Sequence, residues 1–255
     1  MNDVLQARAR IASPVEVSSL AHASPFSYLF YEASYLFSMT AMTLGFSLRT
    51  LGKNNVPRTG PAILYANHQS YLDPMLVGLS SRRHLCFLAR KTLFRNRFFA
   101  GLIRNLNAVP IDQEGVGRQG IQTVLDQLRL GQAVVVFPEG ERTADGVMHP
   151  LKPGLHLLIK KSAAPLVPVG IAGAFDAWPR FRRFPMPSPL FLPKGKRALA
   201  VCVGKPLDGR RFAVLPRQQA MEELFGELQK VQLQAEKLRK NHEPRPSGSG
   251  VQPAP

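Results

Sequence analysis

The chain has few cysteines and few acidic residues. The first shortage excludes a disulfide-stabilised protein, and the second bears on the charge of its partners. Its 255 residues include two cysteines, Cys86 and Cys202, both in predicted strands, so we expect buried, reduced thiols and no disulfide framework. Lys and Arg number 33 against 17 Asp and Glu, which gives a net charge of +16. This excess favours an anionic partner: a membrane surface, a phosphorylated substrate, an acidic carrier protein or nucleic acid. Nucleic acid is the weakest of these, because the sequence contains no zinc-finger spacing, basic helix or aromatic RNA-binding signature.

The N-terminal segment, residues 1–25, also lacks an uninterrupted apolar run. Charged residues break it at Asp3, Arg8, Arg10 and Glu16, so we expect an N-terminal extension and no cleaved signal peptide.

The longest apolar segment spans residues 26–48 and contains one charge, Glu32. As a helix it could just cross a hydrocarbon core. However, small polar residues and large apolar residues fall on different helical faces, which favours a helix lying in the membrane interface over a spanning one. Packing on the domain is the alternative. We therefore expect a membrane-associating helical segment at 26–50 and a location at the cytoplasmic face of the inner or cell membrane.

Short β-rich runs then alternate with helical patterns. This alternation predicts an α/β fold with a mixed, mostly parallel sheet covered by helices. We predict one domain at 51–212, a C-terminal helix at 213–240 and a disordered tail at 241–255. The predicted strands are 62–66, 84–89, 108–111, 132–137, 166–171 and 198–203, with intervening helices starting near residue 73 and at 93–104, 121–128 and 155–161.

His68 and Asp73 form the first candidate site. Asp73-Pro74 predicts a helix start, with Asp73 as N-cap, and this places His68 in the preceding loop at the carboxyl edge of the sheet. With a turn between them, the carboxylate can bond to Nδ1–H of the imidazole and leave Nε2 as a general base. No serine or cysteine has a privileged position beside them, so the hydroxyl that is activated belongs to the substrate. Alternatively, Asp73 is only a cap and His68 an ordinary loop residue.

A second candidate site follows the most apolar predicted strand. Gly140 allows close backbone approach, Arg142 can bind a phosphate in a bidentate manner, and Glu139 can accept from a substrate hydroxyl or orient Arg142. A polar turn with a surface salt bridge is the alternative.

Two other segments leave alternatives open. Gly115, Gly117 and Gly120 match the dinucleotide fingerprint G-x-G-x-x-G after a strand, although neighbouring acidic residues disfavour a pyrophosphate there. Residues 173–197 are basic and proline-rich, which indicates either a solvated loop or one facing lipid headgroups.

Four sequence blocks in order resemble the 1-acylglycerol-3-phosphate acyltransferase family, the membrane-associated glycerolipid acyltransferases, over about residues 50–207. The first matches the N-H-x-x-x-x-D motif of that family. The blocks are Asn67-His68 through Asp73-Pro74, Ala108 through Gln113, Phe137 through Arg142 continued by Leu151 through Gly154, and Val167 through Ile171.

The resemblance implies that His68 is the base, Asp73 its orienting partner, and Glu139 and Arg142 ligands of the glycerol phosphate. The donor would be acyl-CoA or acyl carrier protein, and the acceptor a lysophospholipid, most simply lysophosphatidic acid. Arg90 and Lys91 are candidate cations for the oxyanion. The family implies no metal or organic cofactor, and no remaining histidine stands at a zinc-like spacing from the pair.

One position departs from the family. Its second block usually ends in an arginine that binds the acceptor phosphate, whereas this chain has Gln113. Either Arg118 supplies that charge one helical turn later or the acceptor differs; Lys152, in the third block, is a further candidate ligand. A non-catalytic protein that binds anionic lipid and a nucleotide-dependent enzyme remain the rival hypotheses.

Overall fold

A computed structural model describes residues 25–111, 117–190 and 197–240, so the predicted N-terminal extension (apart from Pro25) and the predicted tail lie outside the described residues. In these residues, the strands are β1 (Arg49–Leu51), β2 (Ala62–Ala66), β3 (Cys86–Arg90), β4 (Ala108–Ile111), β5 (Ala133–Val136), β6 (Leu166–Ala172) and β7 (Ala200–Val203). The α-helices are α1 (Pro25–Phe46), α2 (Asp73–Leu79), α3 (Arg97–Asn105), α4 (Arg118–Arg129), α5 (Gly154–Ser162), α6 (Ala174–Ala177), α7 (Gly209–Val214) and α8 (Arg217–Lys240). Two 3-10 turns lie at Lys53–Asn55 and Lys91–Phe94.

The seven strands form one sheet in the order β1-β7-β6-β2-β5-β3-β4. The five strands from β6 to β4 are parallel, while β7 runs antiparallel to β6 and parallel to β1. Every residue of β2, β5 and β6 is buried, as expected for central parallel strands covered on both faces. The predicted mixed, mostly parallel sheet is confirmed.

Helices cover both faces of this sheet. Ile63 and Tyr65 of β2 point into a core shared with α4, α5 and α8, whereas Leu64 and Ala66 point into a second core beneath α2. Because the parallel strands all end at one edge, the loops after β2, β5 and β3 gather there.

The long helix α8 lies very close to the sheet. A Cβ built on Gly170 of β6 would lie 2.3 Å from the main-chain nitrogen of Gln232, so only glycine permits this approach. Leu224, Leu228 and Val231 are among the buried residues of α8, and they follow the helical spacing of one apolar face.

α1 rests on the domain through one side. The Tyr35 hydroxyl donates to the Leu79 carbonyl at 3.3 Å, and the Tyr31 ring stacks on His84 at 3.7 Å between centroids. Its other side exposes a row of large apolar side chains: Leu29, Leu36, Phe37 and Leu44. Among the described helices, none has the length and apolar character needed to cross a membrane.

Several local features differ from the sequence prediction. The C-terminal helix predicted at 213–240 is divided into α7 and α8. The predicted helix at 93–104 is divided, because Asn96 caps α3 by accepting from the main-chain N–H groups of Phe98 and Phe99. β1 was not predicted, because three residues carry no periodicity and their partner, β7, lies about 150 positions later. α6 interrupts the segment that was predicted to be irregular.

Candidate active site

His68 stands at the carboxyl end of β2. The preceding residue, Asn67, is fully buried and exchanges two hydrogen bonds with the main chain of Ile171, at 2.8 and 3.0 Å, which fixes where the loop begins. The structure brings His68 and Asp73 together, with Nδ1 and Oδ2 2.8 Å apart. This is the contact on which the sequence hypothesis depends.

Asp73 reaches His68 in a different way from the one predicted. The N-cap of α2 is Leu72, and Asp73 is already helical; its side chain makes no capping hydrogen bond to α2. Instead Oδ2 accepts from the main-chain N–H groups of Gln69 at 2.5 Å and Ser70 at 2.7 Å, in addition to His68. The fully buried carboxylate therefore organises the loop that carries the imidazole, so the N-cap assignment was wrong.

The imidazole packs against one aromatic ring and remains partly exposed to solvent. Its ring stacks on Phe137 with centroids 4.2 Å apart, and 18% of the side chain is exposed. Since Nδ1 is bonded to Asp73, Nε2 is the nitrogen left to exchange a proton with a bound molecule.

The thiols and the neighbouring serine are poor nucleophiles. Burial raises the pKa of Cys86 to about 12 and that of Cys202 to about 11, so both remain protonated at neutral pH. The Ser70 hydroxyl donates to the Trp178 carbonyl at 2.6 Å and accepts from the Leu72 N–H. This arrangement favours direct transfer to a substrate hydroxyl over a covalent enzyme intermediate.

Glu139 follows β5 and is buried beside the histidine. Its Oε1 accepts from the His68 N–H at 2.7 Å, and its Oε2 accepts from the His149 N–H at 2.8 Å. Burial raises the pKa of Glu139, and these two hydrogen bonds partly oppose that shift. The sequence predicted contact with the acceptor or with Arg142, whereas these contacts favour a positioning role that joins two loops.

Gly140 has a φ of +82°, a backbone conformation that favours glycine. A Cβ at this position would lie 2.5 Å from Nζ of Lys152, so the close approach predicted here is made by a lysine side chain. Lys152 is exposed, and its main-chain N–H donates to the Pro138 carbonyl at 2.8 Å. A pocket beside them is lined mostly by apolar residues, including Val136, Leu155 and Leu158.

Arg142 lies over the ring of Tyr71, with its guanidinium carbon 3.7 Å from the centroid. Its main-chain carbonyl accepts from the Arg180 guanidinium at 3.1 Å, and the Tyr71 hydroxyl donates to the Arg180 carbonyl at 3.2 Å. The His68 motif and the Arg142 motif are thus connected through Tyr71 and Arg180, neither of which was a predicted site residue.

The remaining predicted cations lie farther along the same edge. Arg90 ends β3 and Lys91 follows it; both are exposed. β3 is separated from β2 by β5, so Arg90 stands about 10 Å to the side of the His68 strand. Arg118 is the first residue of α4, but its side chain and all of Gln113 lie outside the described structure.

Sequence analysis missed several contributors to this site. Phe137 could have been found, because it directly follows β5 and so shares the carboxyl edge with His68. Trp178 and Arg180 gave no signal, since they reach the site from a loop more than 100 residues beyond His68.

Comparison with known proteins now decides the family. Residues 47–172 match the family model described as Acyltransferase, a range that contains every one of the four sequence blocks. The chain contains a domain of the acyltransferase family. It is therefore an enzyme, and the non-catalytic alternative is set aside.

The relatives agree with this assignment, and a solved structure shares the fold. This acyltransferase is 29% identical over 192 residues to the 1-acyl-sn-glycerol-3-phosphate acyltransferase of Bacillus subtilis, covering 73% of the chain and 89% of the relative. The protein of the same name from Streptococcus pneumoniae is 31% identical over 113 residues, or 44% of this chain and 41% of that one. The crystal structure of the LPA acyltransferase PlsC from Thermotoga maritima superposes with a TM-score of 0.69 at 21% identity, covering 95% of this chain and 90% of that chain, and shows the same fold.

Proposed function

We propose that this acyltransferase moves a fatty acyl group from a thioester to the free 2-hydroxyl of a 1-acylglycerol 3-phosphate. The observation that carries the proposal is the 2.8 Å contact between His68 Nδ1 and Asp73 Oδ2 at an exposed edge of the sheet. The names of the curated relatives support the choice of acceptor.

In this mechanism His68 is the general base. Nε2 takes the proton of the acceptor hydroxyl while the oxygen attacks the thioester carbonyl carbon. The C–S bond then breaks, the acyl group becomes an ester of the acceptor, and the thiolate leaves with the proton returned by His68. Asp73 holds the ring in position and stabilises the imidazolium that forms between the two proton transfers.

Basic side chains around the histidine bind the charged parts of both substrates. Arg142 is proposed to hold the acceptor phosphate, because its guanidinium is already oriented by the Tyr71 ring. Lys152 extends the positive surface beside Gly140. Arg90 and Lys91 are proposed to stabilise the developing oxyanion or to bind donor phosphates. Arg118 is proposed to supply the positive charge that Gln113 does not provide.

The donor is proposed to be acyl-CoA or acyl carrier protein, both of which are anionic and suit a chain with a net charge of +16. The membrane is the second partner. α1 offers it the exposed row of apolar side chains that includes Leu29, Leu36 and Phe37. The location that we propose is the cytoplasmic face of the inner or cell membrane, where both donors are found in solution.

Replacement of His68 by alanine tests the catalytic assignment. We expect acyl transfer from labelled acyl-CoA to fall by about 10²- to 10⁴-fold in detergent micelles, with thermal unfolding unchanged. His84→Ala is the matched control, because this histidine contacts Glu32 on α1 and not Asp73. Activity of His68→Ala close to that of the control would refute the proposal.

A substrate screen tests the acceptor and the donor. Lysophosphatidic acid is compared with lysophosphatidylglycerol, lysophosphatidylethanolamine and lysophosphatidylcholine, each with acyl-CoA and with acyl carrier protein. We expect the highest kcat/KM for the acceptor with a terminal phosphate. A clear preference for a headgroup without that phosphate would show that Gln113 marks a different specificity.

A further inference from the structure

Residues 180–190, which follow the short helix α6, form a loop with an unusual surface. Phe181 and Phe184 are 69% and 66% exposed, and they alternate with the exposed Arg180, Arg182 and Arg183. The loop contains no acidic residue. Large aromatic side chains are seldom left in water without a reason, and here two of them stand beside three positive charges.

The main chain of this loop is fixed by hydrogen bonds. The Trp178 indole N–H donates to the Arg182 carbonyl at 3.0 Å, and the Met186 N–H donates to the Ala177 carbonyl at 2.7 Å. The Arg183 guanidinium lies 5.3 Å from the centroid of the Phe184 ring. The phenylalanines therefore project from an ordered support.

The end of the loop is attached to α1. The Ser188 N–H donates to the Gly45 carbonyl at 2.8 Å, and the Leu190 N–H donates to the Leu44 carbonyl at 3.0 Å. Leu44 belongs to the exposed apolar row of α1, which is the surface already proposed to face the membrane. The 180–190 loop continues that surface towards the active site.

The start of the loop is attached to the catalytic motif. The Ser70 hydroxyl donates to the Trp178 carbonyl at 2.6 Å, and the Tyr71 hydroxyl donates to the Arg180 carbonyl at 3.2 Å. Ser70 and Tyr71 lie between His68 and Asp73 in the sequence. The start of the loop is thus attached to the segment that joins His68 to Asp73.

We propose that the 180–190 loop is a second membrane-binding element, specific for anionic phospholipid. Phe181 and Phe184 enter the boundary between headgroups and acyl chains, while Arg182 and Arg183 bind headgroup phosphates. An acidic carrier protein would account for the arginines, but the pattern of exposed phenylalanines between them suits a lipid interface. The loop positions the acceptor, which resides in the membrane, at the entrance to the His68 site. This inference rests on the proposed membrane association and assigns part of it to a named segment.

Trp178 provides a local reporter, because it is the single tryptophan of the chain and lies at the base of the loop. The full chain is mixed with vesicles of equimolar phosphatidylcholine and phosphatidylglycerol, with or without brominated acyl chains, and its fluorescence is recorded. We expect brominated lipid to quench Trp178. A chain that sediments with vesicles without quenching would overturn the loop assignment alone, whereas a chain that does not bind vesicles would overturn the membrane association as well.

Two double variants separate the apolar part from the charged part. Phe181→Ser/Phe184→Ser is expected to lose most of the quenching while α1 keeps some vesicle binding. Arg182→Gln/Arg183→Gln is expected to bind anionic vesicles about tenfold or more weakly, and pure phosphatidylcholine vesicles unchanged. Arg210→Gln/Arg217→Gln is the control variant. It removes the same two positive charges at the opposite edge of the sheet, near Leu207, which forms an isolated β-bridge with the first residue of β6.

Activity completes the test. All three double variants should retain turnover of water-soluble, short-chain substrates, and the loop variants alone should lose turnover of an acceptor presented in anionic vesicles. The proposal fails if the Arg210/Arg217 control weakens vesicle binding as much as the loop variants. It also fails if the loop variants bind vesicles normally but lose activity with acyl carrier protein as donor.

Discussion

The buried carboxylate of Glu139 accepts a hydrogen bond from the main-chain N–H of His68, with Oε1 2.7 Å from that main-chain nitrogen. Its second oxygen holds the main chain of His149 in the same way. The glutamate of one sequence motif thus fixes the histidine of the other, across neighbouring parallel strands β2 and β5.

The burial of Glu139 predicts a pH-dependent contribution to stability. Burial raises the pKa of Glu139 above its ordinary value of 4.5, so the folded chain holds this proton more tightly than the unfolded chain does. The associated stabilisation is complete below the ordinary pKa and is lost as the pH rises through the raised one. In urea denaturation, the free energy of unfolding of the native chain minus that of Glu139→Gln should fall through this window and then become constant. A difference that increases with pH would contradict the assignment.

Asp73 can be tested by separating its charge from its hydrogen bonds. All three bonds fall on Oδ2, so the single amide oxygen of Asp73→Asn can accept them and preserve the loop. We expect kcat to fall by about 10²-fold or more, because the imidazolium loses its stabilising charge, while KM and the unfolding midpoint change little. Asp73→Ala should also destabilise the fold by about 1–3 kcal/mol, since it leaves buried donors unpaired. Equal loss of stability in both variants would argue for a structural role only.

Tyr71 is predicted to set the affinity for the acceptor through Arg142. Tyr71→Leu removes the ring beneath the guanidinium, a contact that contributes about 0.5–1 kcal/mol at an exposed site, so the KM for lysophosphatidic acid should rise about two- to fivefold. The KM for acyl-CoA should not change. Tyr71→Phe keeps the ring and removes only the hydrogen bond to Arg180, and it serves as the control. A selective change in the donor KM would place Arg142 in the donor site.

Replacement by alanine is expected to change the stability of the fold in opposite directions at two glycines. Gly170→Ala places a methyl group 2.3 Å from main-chain atoms of α8, which can relieve the clash only by moving away from β6. We expect a loss of several kcal/mol or failure to fold. Gly226, within α8, has no neighbouring atom within 4 Å of an added Cβ, and Gly226→Ala should stabilise the chain by about 0.5–1 kcal/mol. Thermal unfolding of the two variants measures both effects.

Local sequence patterns predicted the parts of the structure that depend on neighbouring residues. β2 and β4 were predicted with their observed limits, and the contact between His68 and Asp73 was expected because five residues with a turn bring the two side chains together. The order of the strands was not predicted, since the pairing of β1 with β7 is set by residues far apart in the chain.

The candidate site, like the fold, could be predicted only in part from the sequence. The residue types at Glu139 and Arg142 indicated a functional edge, but their partners did not follow from the sequence. Glu139 bonds to main-chain groups, and Arg142 stacks on an aromatic ring from another loop. Both contacts arise from the packing of three loops, and the sequence carries no spacing that links those loops.

The antiparallel strand β7 and the helix α8 carry no proposed catalytic residue, yet we expect the reaction to depend on them. The four sequence blocks end with β6, and a fragment of residues 47–172 would leave that strand with an open edge and Gly170 facing solvent where Val231 now packs. Since Ile171 of the same strand anchors Asn67, such a fragment would lose the fixed starting point of the histidine loop. We therefore expect a polypeptide of residues 47–172 to be inactive in acyl transfer, although it contains all four sequence blocks.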